Sequence, residues 1–155
     1  MIKTNAVRIL DKEKIVYELK EYDISDSMID AVSVAIKVGV DPNILFKTLV
    51  LEFKSSLYIC VIPSNSKLDL KKAASTFNVK SLSMLPQKDL LSKTGYIHGG
   101  CSPINMKKLY PTVIHQSCLN YDSIIVSAGK IGYQIKIKVS DLLLITHSMT
   151  ADIIE

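Results

Sequence analysis

Phe46-Lys-Thr-Leu-Val-Leu-Glu-Phe53 and Leu57-Tyr-Ile-Cys-Val-Ile-Pro63 are two apolar, β-branched runs separated by a short polar stretch around Ser55 and Ser56. Runs of this composition on either side of a tight polar break read as the two strands of a β-hairpin.

Before the hairpin, the pattern predicts a helix over residues 4–13, with Thr4 as its cap and Ala6, Val7, Ile9 and Leu10 on one face. A strand over 15–22 follows, in which Ile15, Tyr17 and Leu19 alternate with mostly polar neighbours. A second helix over 27–38 is closed by Gly39 and the turn residues Asp41 and Pro42. After the hairpin, Leu70, Ala73, Ala74 and Phe77 mark a helix over 69–77. A strand over 79–84 and a short helix over 86–93 come next, and Pro86 is acceptable in a first helical turn.

Gly95, Gly99, Gly100 and Pro103 then crowd one segment, which predicts a loop whose backbone allows close approach. Further strands are expected over 113–115, 123–127 and 133–139, and a last helix capped by Ser140 or Asp141 ends the pattern. Tyr133-Gln-Ile-Lys-Ile-Lys-Val139 alternates cleanly, so one face of that strand should be wet and the other packed. Antiparallel pairings with helices interspersed indicate an α+β fold. There is no internal repeat, so residues 1–155 are expected to form a single domain.

The bulk numbers fit that reading. A chain of 155 residues, 48% hydrophobic and 22% charged, is neither disordered nor too small for a core of its own. No run is apolar enough for a secretory signal or a membrane span, and a cytoplasmic protein is expected. Cys60, Cys101 and Cys118 form no CxxC or CxxH spacing, so neither structural zinc nor a disulfide framework is expected. The net charge of +4 suits a phosphate-bearing partner without demanding one. Lys71, Lys72, Lys107, Lys108 and Lys130 would meet RNA phosphates, or simply make a solvated face.

No GxSxG, HExxH, phosphate-loop or dinucleotide fingerprint occurs, so any chemistry rests on single residues. Lys47 stands at the start of a strand that otherwise looks buried. Either its stem snorkels to solvent, or its ammonium serves a ligand. Gly99 and Gly100 lack side chains that would block a ligand, and their N–H groups would suit a developing oxyanion. An ordinary glycine turn is the alternative. Cys101 invites a nucleophile reading with His98 or His115 as base, against a plain packing role. Tyr22 is open between core packing and a hydroxyl in a pocket.

Five motifs in order, Phe46-Lys47-Thr-Leu, Leu68-Asp-Leu-Lys-Lys-Ala-Ala74, Thr94-Gly-Tyr96, Gly99-Gly-Cys-Ser-Pro103 and Ser127-Ala-Gly-Lys-Ile-Gly132, span nearly the whole chain. Together they resemble the YbaK/EbsC family, related to the editing domain inserted in bacterial prolyl-tRNA synthetases. The resemblance implies a mixed, largely antiparallel, curved and barrel-like β-sheet surrounded by helices. It also implies trans-editing: hydrolysis of mischarged tRNA, most typically cysteine on the proline tRNA, with no cofactor and no metal. Prolyl-tRNA synthetase is the implied protein partner.

By the same resemblance Lys47, Gly99 and Gly100 are the catalytic positions. Tyr22, Ser102, Pro103, Ser127, Gly129 and Gln134 are the substrate-binding ones. Family members acting on cysteine let the substrate's own thiol attack the ester, so the protein supplies alignment in place of a nucleophile. This sequence departs from the pattern at Gln134, where the cysteine-specific proteobacterial members carry an aspartate that would pair with the α-ammonium. Cys101 replaces a usually aliphatic residue and is read as packing. A non-catalytic module that grips a charged tRNA end or docks on a synthetase is the competing reading, kept open by Gln134.

Overall fold

The computed structural model describes residues 2–155. The hairpin forms as its pattern dictates: β2 (Phe46–Phe53) and β3 (Ser56–Pro63) pair antiparallel from Phe46↔Pro63 to Phe53↔Ser56. The turn is one residue earlier than the polar stretch suggests. Lys54 and Ser55 both take left-handed φ, +48° and +67°, the twist that a two-residue hairpin loop requires.

Five strands make one sheet in the order β4-β2-β3-β5-β8, where β4 is Ser83–Met84, β5 is Thr112–His115 and β8 is Met149–Ala151. β5 runs parallel to both β3 and β8. A second, antiparallel sheet has the order β1-β7-β6, formed by Tyr17–Glu21, Tyr133–Lys138 and Ser123–Ser127. The two sheets touch through one parallel bridge, Leu45↔Ile125. The α+β class therefore holds, with two open sheets where the sequence suggested one barrel-like sheet.

Helices α1 (Asn5–Lys12), α2 (Ala31–Val38), α3 (Leu70–Phe77), α4 (Leu90–Thr94) and α5 (Val139–Thr146) surround them. Thr4 caps α1 by accepting the Val7 N–H, and its own hydroxyl donates to the Ala128 carbonyl at 2.5 Å, which ties the N-terminal helix to the segment after β6. The largest core cluster runs between the sheets through Phe46, Val50, Ile59, Val126 and Ile135. None of the described helices is long and apolar enough to cross a membrane.

The strand expected over 15–22 is trimmed to Tyr17–Glu21, and the helix expected over 86–93 divides into a 3₁₀ turn at Gln87–Asp89 and α4. Three further boundaries depart for local reasons. α2 begins at Ala31, not Ser27. Ser27 takes a left-handed φ of +62°, and Lys37 reaches back to the Asp26 carboxylate and the carbonyls of Asp23 and Met28, holding the preceding residues in turns. The strand expected over 79–84 shrinks to Ser83–Met84, since only those residues find a partner on β2. The last helix starts at Val139 without a side-chain cap, and the chain continues past it into β8.

Candidate active site

A cavity of about 440 Å³ opens where β2, the start of α2, the glycine loop and the ends of β6 and β7 meet. Lys47, Gly99, Ser127 and Gln134 all line it. Four of the residues singled out from the sequence therefore share one space, although they lie far apart in the chain.

Lys47 is half-buried, and its ammonium donates to the Ser64 carbonyl at 3.3 Å. No carboxylate of the described residues lies within ion-pairing distance of it. Burial pushes its pKa below the ordinary 10.5, because a low-dielectric wall disfavours the charged form. A cation with one long hydrogen bond and no counter-ion retains donor capacity for a ligand.

Gly99 adopts φ +85°, a conformation that favours glycine, and a Cβ there would come within 2.9 Å of Ile29 Cδ1. Its N–H has no acceptor among the described residues. Gly100 behaves differently. Its N–H donates to the Ile97 carbonyl at 3.0 Å, and it does not line the cavity. A Cβ at Gly100 would meet the Ile131 backbone nitrogen at 2.9 Å, so this glycine is required for close packing of the loop. Of the two N–H groups expected at an oxyanion, one is thus already committed.

Ser127 and Gln134 are register partners across β6 and β7. The Ser127 hydroxyl accepts the Gly129 N–H at 3.1 Å, leaving its proton for a ligand. Gln134 lies on the face of β7 that the alternation assigns to solvent, beside exposed Lys136 and Lys138, yet it is only 5% exposed. Its Oε1 has no hydrogen-bond partner. A buried amide left unpaired costs ~1–3 kcal/mol, and a cavity-lining one is relieved when a ligand supplies the missing partner.

The remaining substrate-binding candidates stand outside this wall. Tyr22 packs behind it with Val34, Leu45 and Ile125, its hydroxyl buried and unpartnered. Ser102 is buried and accepts the Ile104 N–H. Pro103 lines a separate cavity of about 300 Å³ together with Lys107 and Lys108. Gly129, at φ +95°, lies against Tyr96 Cε1 and Thr4, where a Cβ would come within 2.7 Å of the ring. Among the lysines considered for RNA, Lys72 is tied to Asp152 and to the Ile154 carbonyl, and Lys130 lies over the Tyr133 ring.

The thiol-nucleophile reading loses its chemistry. Cys101 lines the cavity beside His98, but burial pushes its thiol up to about 12, so the nucleophilic thiolate is scarce near neutrality. His115 is buried on β5 and accepts the Ile153 N–H through Nδ1, away from the cavity lining. Cys101→Ala should retain most of the wild-type activity, and a steady-state comparison of the two proteins checks this.

One residue escaped the sequence reading. Asp30 lines the cavity and caps α2, its carboxylate accepting the N–H and hydroxyl of Ser33, which hold it below the usual carboxylate range. Placing the helix start at Ser27 hid it. An Asp followed three residues later by Ser, just ahead of an apolar run, was the available signal.

The sequence pattern described as the aminoacyl-tRNA editing domain matches residues 27–145. A protein of Enterococcus faecalis, provisionally designated the Cys-tRNA(Pro)/Cys-tRNA(Cys) deacylase EbsC, is 43% identical over 152 residues, 97% of this chain and 93% of its own. A crystal structure provisionally described as a trans-editing enzyme for prolyl-tRNA synthetase superposes with a TM-score of 0.85 at 21% identity, covering 100% of this chain and 99% of the other. The hypothetical protein APE2540 gives 0.87 at 18% identity over 97% of this chain and 99% of its own. At these identities the two structures speak for the fold alone.

Proposed function

The chain belongs to the aminoacyl-tRNA editing domain family, and we propose that it is a trans-editing deacylase that removes a wrongly attached amino acid from tRNA, with Cys-tRNA(Pro) as its main substrate. The observation that carries this reading is the shared cavity: Lys47, whose ammonium has no counter-ion, Gly99, whose N–H has no acceptor, and Gln134, whose Oε1 is unpaired, all line one space. An aminoacyl ester has the complementary groups. Its oxygens take the donors of Lys47 and Gly99, and its amino group takes an acceptor on the Gln134 side.

With cysteine attached, the thiol sulfur attacks the ester carbonyl carbon. A C–S bond forms, and the developing oxyanion faces the Gly99 N–H while Lys47 polarises the substrate end. The bond from carbonyl carbon to the ribose oxygen then breaks, and that oxygen takes up a proton equivalent to the one lost by the thiol. Water opens the resulting four-membered thioester ring and releases cysteine. Alignment of two groups within one molecule supplies several kcal/mol of such a barrier, so no enzyme nucleophile is needed.

The need for the activity follows from the limits of binding. A pocket for a small apolar side chain rejects a competitor of similar size by only about two orders of magnitude, so a second hydrolytic sieve adds the missing discrimination. The neutral Gln134 accepts the amino group by hydrogen bonding alone, a weaker hold than a carboxylate would give. We place the protein in the cytoplasm, acting on free mischarged tRNA, with prolyl-tRNA synthetase as the partner that generates it.

The substrate assignment is tested by charging the same tRNA(Pro) with cysteine, S-methylcysteine, alanine and serine. Cysteine should be released fastest, and S-methylation should abolish the advantage. Equal rates for cysteine and S-methylcysteine would remove the substrate's thiol from the mechanism.

A further inference from the structure

The cavity is walled on one side by a stretch of β2 edge that pairs with no strand among the described residues. In an antiparallel ladder, one residue turns both its backbone polar groups to the partner strand, and the next turns both away. Ser64 N–H donates to the Leu45 carbonyl, which places Leu45, Lys47 and Leu49 on the β3-facing set. Leu85 N–H donates to the Val50 carbonyl from the opposite side, so Phe46, Thr48 and Val50 face outward.

On that outer edge the pairing with β4 begins only at Leu51, and the bridge to β6 is confined to Leu45↔Ile125. Between them, among the described residues, no strand pairs with β2, and this uncovered stretch lines the cavity. Thr48 stands at its centre. Its outward backbone N–H and carbonyl have no partner among the described residues, so the spot offers one donor and one acceptor. Uncovered edges of this kind recruit an extended chain as an added strand.

An extended aminoacyl residue presents its amino nitrogen and its carbonyl oxygen on the same side, as every residue of a β-strand does. It therefore matches the N–H and C=O of a single residue on a free edge. We propose that the aminoacyl group of the substrate docks on β2 as a one-residue added strand, with the Thr48 N–H donating to the ester carbonyl oxygen and the Thr48 carbonyl accepting from the α-ammonium. The proposal rests on the deacylase reading and deepens it.

This docking reads only atoms common to all α-amino acids. It gives the α-ammonium a second acceptor beside Gln134. The substrate side chain then lies on the Thr48 face of β2, where Phe46, Val50 and Leu90 set the size it is allowed.

The probe is 3′-cysteinylamido-3′-deoxyadenosine, in which an amide replaces the labile ester, and the readout is backbone amide hydrogen exchange followed by NMR on the full chain. The Thr48 amide should exchange at least tenfold more slowly at saturating analogue. Leu49, whose amide belongs to the β2–β3 ladder, should be slow with or without it. The 3-mercaptopropionyl analogue, which lacks the amino group, should bind about ten- to a hundredfold more weakly, the range expected for losing a hydrogen bond to a charged group. Saturable binding with unchanged Thr48 exchange overturns the strand-edge docking and leaves the deacylase reading standing. Equal affinity for the two analogues also overturns the docking, while failure of both to bind overturns docking and deacylase reading together.

Discussion

Lys47→Ala should slow deacylation by on the order of 10²–10³-fold, the usual cost of removing one donor from developing charge in a water-poor site. The fold should survive. The ammonium makes one 3.3 Å hydrogen bond and no ion pair, and burial already disfavours its charge, so its loss removes little that holds the chain together. Single-turnover rates with Cys-tRNA(Pro), read beside thermal melting of both proteins, separate a catalytic defect from a folding one. The same residue predicts a pH limit. Its folded pKa lies below 10.5, so activity that needs the ammonium should begin to fall on the alkaline side before an ordinary lysine would titrate. For stability the sign is opposite: the unfolded chain binds this proton more tightly, so raising pH through that window should slightly favour the fold. Lys47→Arg, which stays protonated, should lose that alkaline limb.

Gly99→Ala is expected to cost nearly as much activity, by a different route. At φ +85° any L-residue is strained, by roughly 1–3 kcal/mol, and the new methyl would press on Ile29 Cδ1. The Ile29 side chain can move aside, so the fold should persist with a modest loss of stability. The N–H that lacks an acceptor would move off its direction, and turnover should fall by on the order of 10²-fold. A matched Gly100→Ala variant should fail differently. Its methyl would meet the Ile131 backbone, which has no easy way to yield, so lowered melting temperature should dominate. Comparing kcat and melting temperature for the pair checks this division of roles.

That division also shows where the sequence stops being legible. The β2–β3 hairpin and the alternation of β7 could be read directly, because burial imposes its period on adjacent residues. The parallel pairing of β5 with β3 and β8 could not, because it joins distant segments through no local pattern. The same holds within the site. Lys47 was conspicuous because a lysine is out of place in an apolar strand. Gly99 and Gly100 are equivalent by sequence, and the backbone of the distant Ile131 makes the second a packing glycine while the first walls the cavity. Gln134 follows the wet face of its strand by pattern, yet it is buried at the cavity that segments distant in the chain build together. The open edge at Thr48 has no textual trace at all. It exists because β4 is two residues long.

As a deacylase, this cavity empties a charged tRNA instead of merely gripping it. Cys-tRNA(Pro) supplied in large excess over the protein, with free cysteine followed over time, tests it most directly. Release of many equivalents per protein, abolished by Lys47→Ala, is the predicted result. Protection of one equivalent of ester per protein, with no release above the rate in buffer, would contradict it and identify a binding module.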